Sequence, residues 1–278
     1  MKHQDGYFKN QENLSIYIQN WLPENPAKAV LLIVHGLNEH SGRYDYFSNF
    51  FVNEGFAVYS MDLVGHGKSD GTRAFVKDFV NYIDDINLYL DKIKQLQPGS
   101  PIFLIGHSMG GLIGALLLID YPDQFAGAVL SGSIVQVPDD VSPLFISLGK
   151  FVSLVLPKLG LLKIDLSGLS RNPDVVQAYK DDPLVNSGKF TARVSAEMNK
   201  SFDRVAVEGS RIKSPVLILH GGSDRIVNPA CSHFLYALVS SDIKKLIIYD
   251  SFYHEIYNDP GHEQVFEDVS SWINNQLK

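Results

Sequence analysis

Residues 101–111 read PIFLIGHSMGG, a run that sets Ser108 between two glycines at the point where an apolar strand becomes a helix. This spacing predicts a nucleophile elbow. Pro101 to Ile105 make a short buried strand, Leu112 to Ile119 a buried helix, and the tight turn between them holds Ser108 in a strained conformation. Gly106 and Gly110 leave room for the strand and helix to approach each other. The Ser108 hydroxyl then stands above the carboxyl end of a parallel sheet, with the Met109 amide aimed at the place where an acyl oxyanion would form. A bare Gly-x-Ser-x-Gly match is a weak signal; its position between strand and helix makes it a strong one.

An elbow of this kind needs an acid and then a histidine later in the chain. Pro215 to His220 (PVLILH) predict a second strand, and the GGSDRIVNP that follows puts Asp224 in the loop beyond it. Leu246 to Asp250 (LIIYD) predict a third, with His254 in the next loop, ahead of a final amphipathic helix. In an open parallel sheet these loops share one edge, so the three side chains converge. Histidine takes the serine proton and returns it to the leaving alcohol, while the carboxylate fixes the tautomer and stabilises the imidazolium. Asp250 is the rival acid, four residues before His254, but the last residue of a buried strand is poorly placed to reach across. His233 and His262 fall inside helical stretches and do not follow a strand.

Ala29 to Gly36 (AVLLIVHG) predict the early strand that supplies the other half of an oxyanion hole, through the Leu37 amide. In the loop that follows, Ser41 or Asn38 is expected to cap the next helix. His35 and His40 have no third ligand spaced to join them, so no metal is expected. The loop MDLVGHGKSDG follows a strand at Ala57 to Met61 and lacks the phosphate-binding spacings, so no cofactor is expected.

His35-Gly36, EHSGRY at 39–44, DLVGHGKS at 62–69 and GHSMGG at 106–111 combine with LSRN at 169–172, DPL at 182–184, GSDR at 222–225 and Tyr253-His254. With these segments the chain resembles the monoacylglycerol lipase family of serine α/β-hydrolases over nearly its whole length. The resemblance implies an α/β-hydrolase fold, in which a mostly parallel central sheet is flanked by helices and carries a mainly helical cap insertion. It also implies cleavage of monoacylglycerols. Leu37 matches the family's oxyanion position, where only the backbone amide is used. Glu39 and Arg43 match polar residues near the glycerol head group, with Arg43 holding Glu39 by a charge-assisted bond. Tyr179 matches a cap tyrosine reaching toward the same pocket. Tyr257 departs from the pattern, since vertebrate members have histidine there, and Cys231 matches no cysteine expected to touch substrate.

With 278 residues and 45% hydrophobic content, the chain can bury one large core, as a single α/β domain with an insertion does. One cysteine excludes an internal disulfide and fits a reducing compartment. MKHQDGYF lacks an apolar signal core, so a cytoplasmic location is expected, with peripheral contact at a membrane. A net charge of −7 argues against a nucleic-acid partner and gives no reason for strong attraction to anionic lipid.

Between Ser133 and Arg211 the rhythm of alternating strand and helix breaks down, which divides the chain into core (1–133), cap (134–211) and core (212–278). The cap opens on a turn-rich stretch, Val137 to Asp140, and continues as PLFISLGKFVSLVLPKLGLL, apolar around nearly its whole circumference. Interrupted by Lys150, this run is too short to span a bilayer. It is read as acyl-tunnel wall, membrane-docking surface or dimer contact. The first two are favoured together, because a monoacylglycerol has to leave a micelle or bilayer to be cleaved. Monomer and homodimer both stay open. Burying a long acyl chain at ~0.8 kcal/mol per methylene would supply most of the ground-state affinity. Two other functions stay open: a broader carboxylesterase or lysophospholipase with the same triad, and a protein that binds an apolar ligand on this scaffold without turning it over. An intact serine, acid and histidine in the right order weighs against the second.

Overall fold

The runs VLLIV, AVYSM, IFLIGH, GAVLS and VLILHG have no polar face, and each is buried along its whole length. Strands of this kind need cover on both sides, which parallel sheets receive from crossover helices. The computed structural model describes residues 2–137, 141–186 and 188–278. In chain order its elements are β1 (Lys2–Lys9), β2 (Ser15–Leu22), β3 (Val30–Val34), α1 (Asp45–Asn53), β4 (Ala57–Met61), α2 (Val80–Leu96), β5 (Ile102–His107), α3 (Met109–Asp120) and β6 (Gly127–Ser131). Then come α4 (Pro143–Val155), β7 (Gly160–Leu162), α5 (Pro173–Asp181), β8 (Phe190–Thr191), α6 (Ala192–Glu208), β9 (Val216–Gly221), α7 (Ala230–Leu238), β10 (Lys244–Tyr249) and α8 (His262–Gln276).

Eight strands form one sheet in the order β1-β2-β4-β3-β5-β6-β9-β10. β2 runs antiparallel to β1 and β4, and the remaining neighbours are parallel. This is the α/β-hydrolase fold. Alternate side chains serve opposite faces. Leu32, Leu104 and Leu130 join the core under α2 and α3, and Leu31, Phe103 and Val129 join the core under α1 and α8. Helix α3 is buried all round because it lies between the sheet and further helices. Edge strand β10 is half-buried rather than buried, and it stops at Tyr249, leaving Asp250 exposed in the turn.

Between β6 and β9 the chain leaves the sheet for α4 to α6 and the small antiparallel pair β7-β8. Of the turn expected over Val137 to Asp140, only Val137 is among the described residues. Helix α6 contributes Val194, Met198, Phe202 and Val205 to the same core as α3, whereas α4 faces outward. Among the described residues no helix is long and apolar enough to cross a membrane.

Asp85 on α2 is buried under the N-terminal hairpin, where it accepts a 3.2 Å hydrogen bond from Asn10 Nδ2. Burial pushes its carboxyl up to about 6 against the opposing effect of that bond. Between the unfolded value, about 3.9, and about 6, the native state holds a proton that the unfolded chain has lost, so stability falls as pH rises through this window. Asp85→Asn keeps an acceptor for Asn10 and removes the charge. Urea denaturation should find it more stable than wild type at pH 8 by about 2–3 kcal/mol, with the gap closing toward pH 4. A gap independent of pH would disprove the account.

Candidate active site

Ser108 sits between β5 and α3 at φ 54° and ψ −115°, a backbone conformation that side chains rarely adopt. The turn is held from both sides. The Ser108 amide donates to the Ser131 carbonyl at 2.9 Å, and its own carbonyl accepts from the Gly111 and Leu112 amides at 3.0 and 3.2 Å. A Cβ at Gly106 would strike the Gly110 carbonyl, and one at Gly110 would strike the carbonyl of Val34 on β3. Both glycines are therefore what allows α3 to start this close to the sheet.

Asp224 follows β9, and each of its oxygens is used. Oδ1 accepts from the Ile226 and Val227 amides at 2.8 and 3.0 Å, and Oδ2 accepts from His254 Nδ1 at 2.7 Å and His220 Nε2 at 3.0 Å. Burial alone would raise its pKa; the two imidazoles outweigh that and hold the carboxyl well below the usual range. His254 is likewise buried, which opposes its charged form, and the adjacent Asp224 reverses this and raises its pKa. With Nδ1–H on Asp224, His254 presents Nε2 as an acceptor, and it lines one small cavity together with Ser108. His107 lies against the His254 ring with centroids 4.8 Å apart; burial, helped by His254, pulls its pKa down to about 3 and keeps it neutral. The exposed Asp250 side chain takes no part in this network.

Leu37 and Met109 line a cavity with Ser108, and among the backbone hydrogen bonds of the described residues none engages the Leu37 or Met109 N–H. The capping expected here goes elsewhere. Asn38 has φ 69° and its Oδ1 accepts from Asn186, Ser41 donates to buried Asp62, and it is His40 that caps the short 3-10 turn at Ser41–Tyr44. His35 and His40 are both committed to hydrogen bonds. His35 Nε2 accepts from the Leu63 amide, so Nδ1 carries the proton and donates to the Gly36 carbonyl at 2.7 Å. His40 Nδ1 accepts from the Gly42 amide, and Nε2 donates to Asp182 at 2.8 Å.

Glu39 is buried. Its Oε1 accepts from the Gly36 amide at 2.6 Å and from the Tyr44 hydroxyl at 2.9 Å, and its Oε2 from Arg43 at 3.0 Å. Arg43 also grips Glu255 with both terminal nitrogens, the Nη2–Oε2 bond being 2.8 Å, and lies 4.6 Å from the centre of the Tyr179 ring. Two functional candidates were not legible as such from sequence. Glu255 had only its place next to His254 as a signal. His220 had its position as a polar residue closing the apolar strand β9. Because His220 Nε2 faces both Asp224 Oδ2 and the Val227 carbonyl, it carries the proton, and Nδ1 accepts from the Ser232 hydroxyl at 2.7 Å.

Two cavities of unequal size share Ser108. One, of about 690 Å³, runs beneath the insertion past Leu37, Met109, Ile134, Phe190 and Met198. A further space of about 120 Å³ shares Ile134, Val141, Phe190 and Met198 with it and continues under α4. A small space of about 20 Å³, edged by Glu39, Tyr179, His254 and Glu255, also reaches Ser108. Tyr257 is buried outside this space, its ring packed on Phe47 and His107. Over the space of about 120 Å³, α4 leaves Leu144, Leu148, Phe151 and Leu154 exposed, Leu144 by 80% and Leu154 by 72%, which is far more than scattered surface apolarity.

The family model described as serine aminopeptidase, S33, matches residues 25–261. The chain is 33% identical to the monoacylglycerol lipase of Mycolicibacterium smegmatis over 257 residues, covering 92% of each chain. It is 33% identical to the human monoglyceride lipase over 267 residues, covering 95% of this chain and 88% of that one. The crystal structure of Paleococcus ferrophilus monoacylglycerol lipase superposes with a TM-score of 0.86 at 31% identity, covering 94% of this chain and 99% of that one.

Proposed function

The chain belongs to the monoacylglycerol lipase family, within the serine aminopeptidase S33 group of α/β-hydrolases, and we propose that it cleaves long-chain monoacylglycerols to glycerol and free fatty acid through an acyl-enzyme on Ser108. The observation that carries this reading is the pairing of cavities at Ser108, a large one beneath the insertion and a small one edged by Glu39, Tyr179, His254 and Glu255. An ester bond placed at the junction would have its acyl chain in the first and its alcohol directed toward the second. Residues 134–211 act as the cap over this junction.

In the proposed reaction Ser108 Oγ attacks the ester carbonyl as His254 Nε2 takes its proton. The amides of Leu37 and Met109 hold the tetrahedral oxyanion. Asp224 stays ionised and keeps the Nδ1–H tautomer. His254 returns the proton to the glycerol oxygen, then activates a water that releases the fatty acid. Glu39 borders the alcohol side with Arg43 holding it from behind, and Tyr179 closes it from the cap. The outward apolar side of α4 rests on the micelle or bilayer that supplies substrate.

The test is kcat/KM for monooleoylglycerol against methyl oleate in detergent, with Ser108→Ala as blank. The acyl group is common to both, so the ratio isolates what glycerol adds. A preference of about tenfold or more, ~1.4 kcal/mol at the transition state, is expected. A ratio near one would reduce the substrate to carboxylic esters in general.

A further inference from the structure

Around Gly36 two side chains converge on one backbone segment. His35 Nδ1–H holds the Gly36 carbonyl, Glu39 Oε1 holds the Gly36 amide, and the Leu37 N–H belongs to the same peptide plane as that carbonyl. Gly36 is also where this loop approaches the nucleophile: a Cβ there would lie 3.2 Å from Ser108 Cβ and 2.8 Å from Glu39 Oε1. Glu39 is held in turn by Tyr44 and Arg43, and Arg43 by Glu255. Glu255 follows His254 directly and is itself fixed, since its amide donates to the Leu169 carbonyl at 2.9 Å and Oε2 accepts from Asn258 at 3.0 Å.

We infer that Glu255, through Arg43 and Glu39, is a positioning residue that sets the Leu37 amide against the histidine loop. The inference rests on the Ser108 and Leu37 roles proposed above. Three observations favour it over a role for these charges in reading the glycerol. Glu39 and Glu255 are each less than a tenth exposed, and each of their carboxylate oxygens already accepts a hydrogen bond from the protein. Arg43 does not line the small cavity, and its terminal nitrogens point to carboxylates. Finally, the bidentate grip joins residues 212 positions apart, one on each of the loops whose relative placement decides whether an oxyanion meets its donor while His254 meets Ser108.

The two roles separate on an ester without glycerol. Kinetics of Glu255→Ala, Glu255→Gln and Arg43→Met are to be measured with monooleoylglycerol and with methyl oleate. A displaced oxyanion donor lowers kcat by about the same factor on both, ~30-fold or more where loss of a whole donor reaches about 10²–10³, with KM nearly unchanged. Labelling of Ser108 by a fluorophosphonate, whose phosphoryl oxygen occupies the same hole, slows in parallel. The Glu255→Ala/Arg43→Met double variant loses no more than the worse single one, because the two act in series. Glu255→Gln preserves size and one acceptor, so it reports on the charge even if Glu255→Ala folds poorly. Loss confined to monooleoylglycerol, or carried by KM, would assign these residues to the head group and overturn the inference, as would unchanged kcat in all three. Wild-type turnover of both esters and its loss in Ser108→Ala test the underlying mechanism separately, so failure of the Glu255 variants beside an active wild type counts against this inference alone.

Discussion

Ser108→Gly is expected to lose about 10⁴- to 10⁶-fold in kcat and to melt at a higher temperature than wild type. Activity falls because the acyl group has no oxygen to bond to; triads of this type keep only what the oxyanion hole and binding supply. The rise in stability comes from the backbone. A non-glycine residue at φ 54° and ψ −115° carries of order 1–3 kcal/mol of strain, which exceeds the ~0.5–1 kcal/mol that glycine loses through chain entropy. In a chain of this size the net gain amounts to a few degrees in melting temperature. Ser108→Ala retains the Cβ and the strain, so it should be as inactive but no more stable than wild type. Calorimetry of the pair decides the matter. Equal melting points would mean that the elbow stores no strain, and residual turnover above about a tenth would remove Ser108 from the mechanism.

Asp224→Asn is expected to cost about 10⁴-fold in kcat with little change in fold. The substituted amide can donate where the carboxylate only accepts, which turns His254 to the wrong tautomer and gives the donating His220 Nε2–H a weaker partner. The pH profile gives a second readout. In the proposed mechanism His254 works as a base only when neutral, and its pKa is raised above the ordinary 6.5. Wild-type kcat/KM should therefore be level in mild alkali and fall tenfold per pH unit below a midpoint above 6.5. In Asp224→Asn that midpoint should move down, because burial then acts on His254 without the opposing carboxylate. A midpoint that does not move would point to a different acid. Asp250, exposed at the end of β10, is the variant to compare, and Asp250→Asn should leave both kcat and the profile unchanged.

Composition is read most reliably where burial is complete. Ala57 to Met61 is a strand over the residues expected, because five apolar or small residues bounded by turns have no other use in a covered sheet. Strand β5 runs two residues past Ile105, through Gly106 and His107, since the elbow takes its turn at the serine itself and His107 finds a partner in Ser131 on the neighbouring strand. The convergence of Asp224 on His254 follows from sheet order, which the alternation of strand and helix made legible. What local pattern cannot show is which buried charges meet. Glu39, Arg43 and Glu255 come from two loops that only the closed sheet brings together, and nothing near Glu255 in the chain marks it as the partner of an arginine so distant. The N-terminal hairpin is equally silent in sequence, because β1 is exposed and mostly polar, and pairing with β2 is what makes it a strand.

The insertion is tied down unequally. Gly168 and Leu169 accept from the His254 and Glu255 amides, Arg171 and Ser170 bind buried Asp259, Asp182 takes His40, and Asn186 takes Asn38. Helix α4, by contrast, rests on α6 and turns its leucines to the outside. Residues 165–186 are thus bonded to the loops that carry His254 and Asn38, and α4 is not. On the proposed function, a lineage or an engineer can therefore resurface α4, to suit a different lipid phase or a different chain length, without disturbing those loops. The same freedom does not extend to the neighbouring segment, whose hydrogen bonds run directly to the loops of His254 and Asn38.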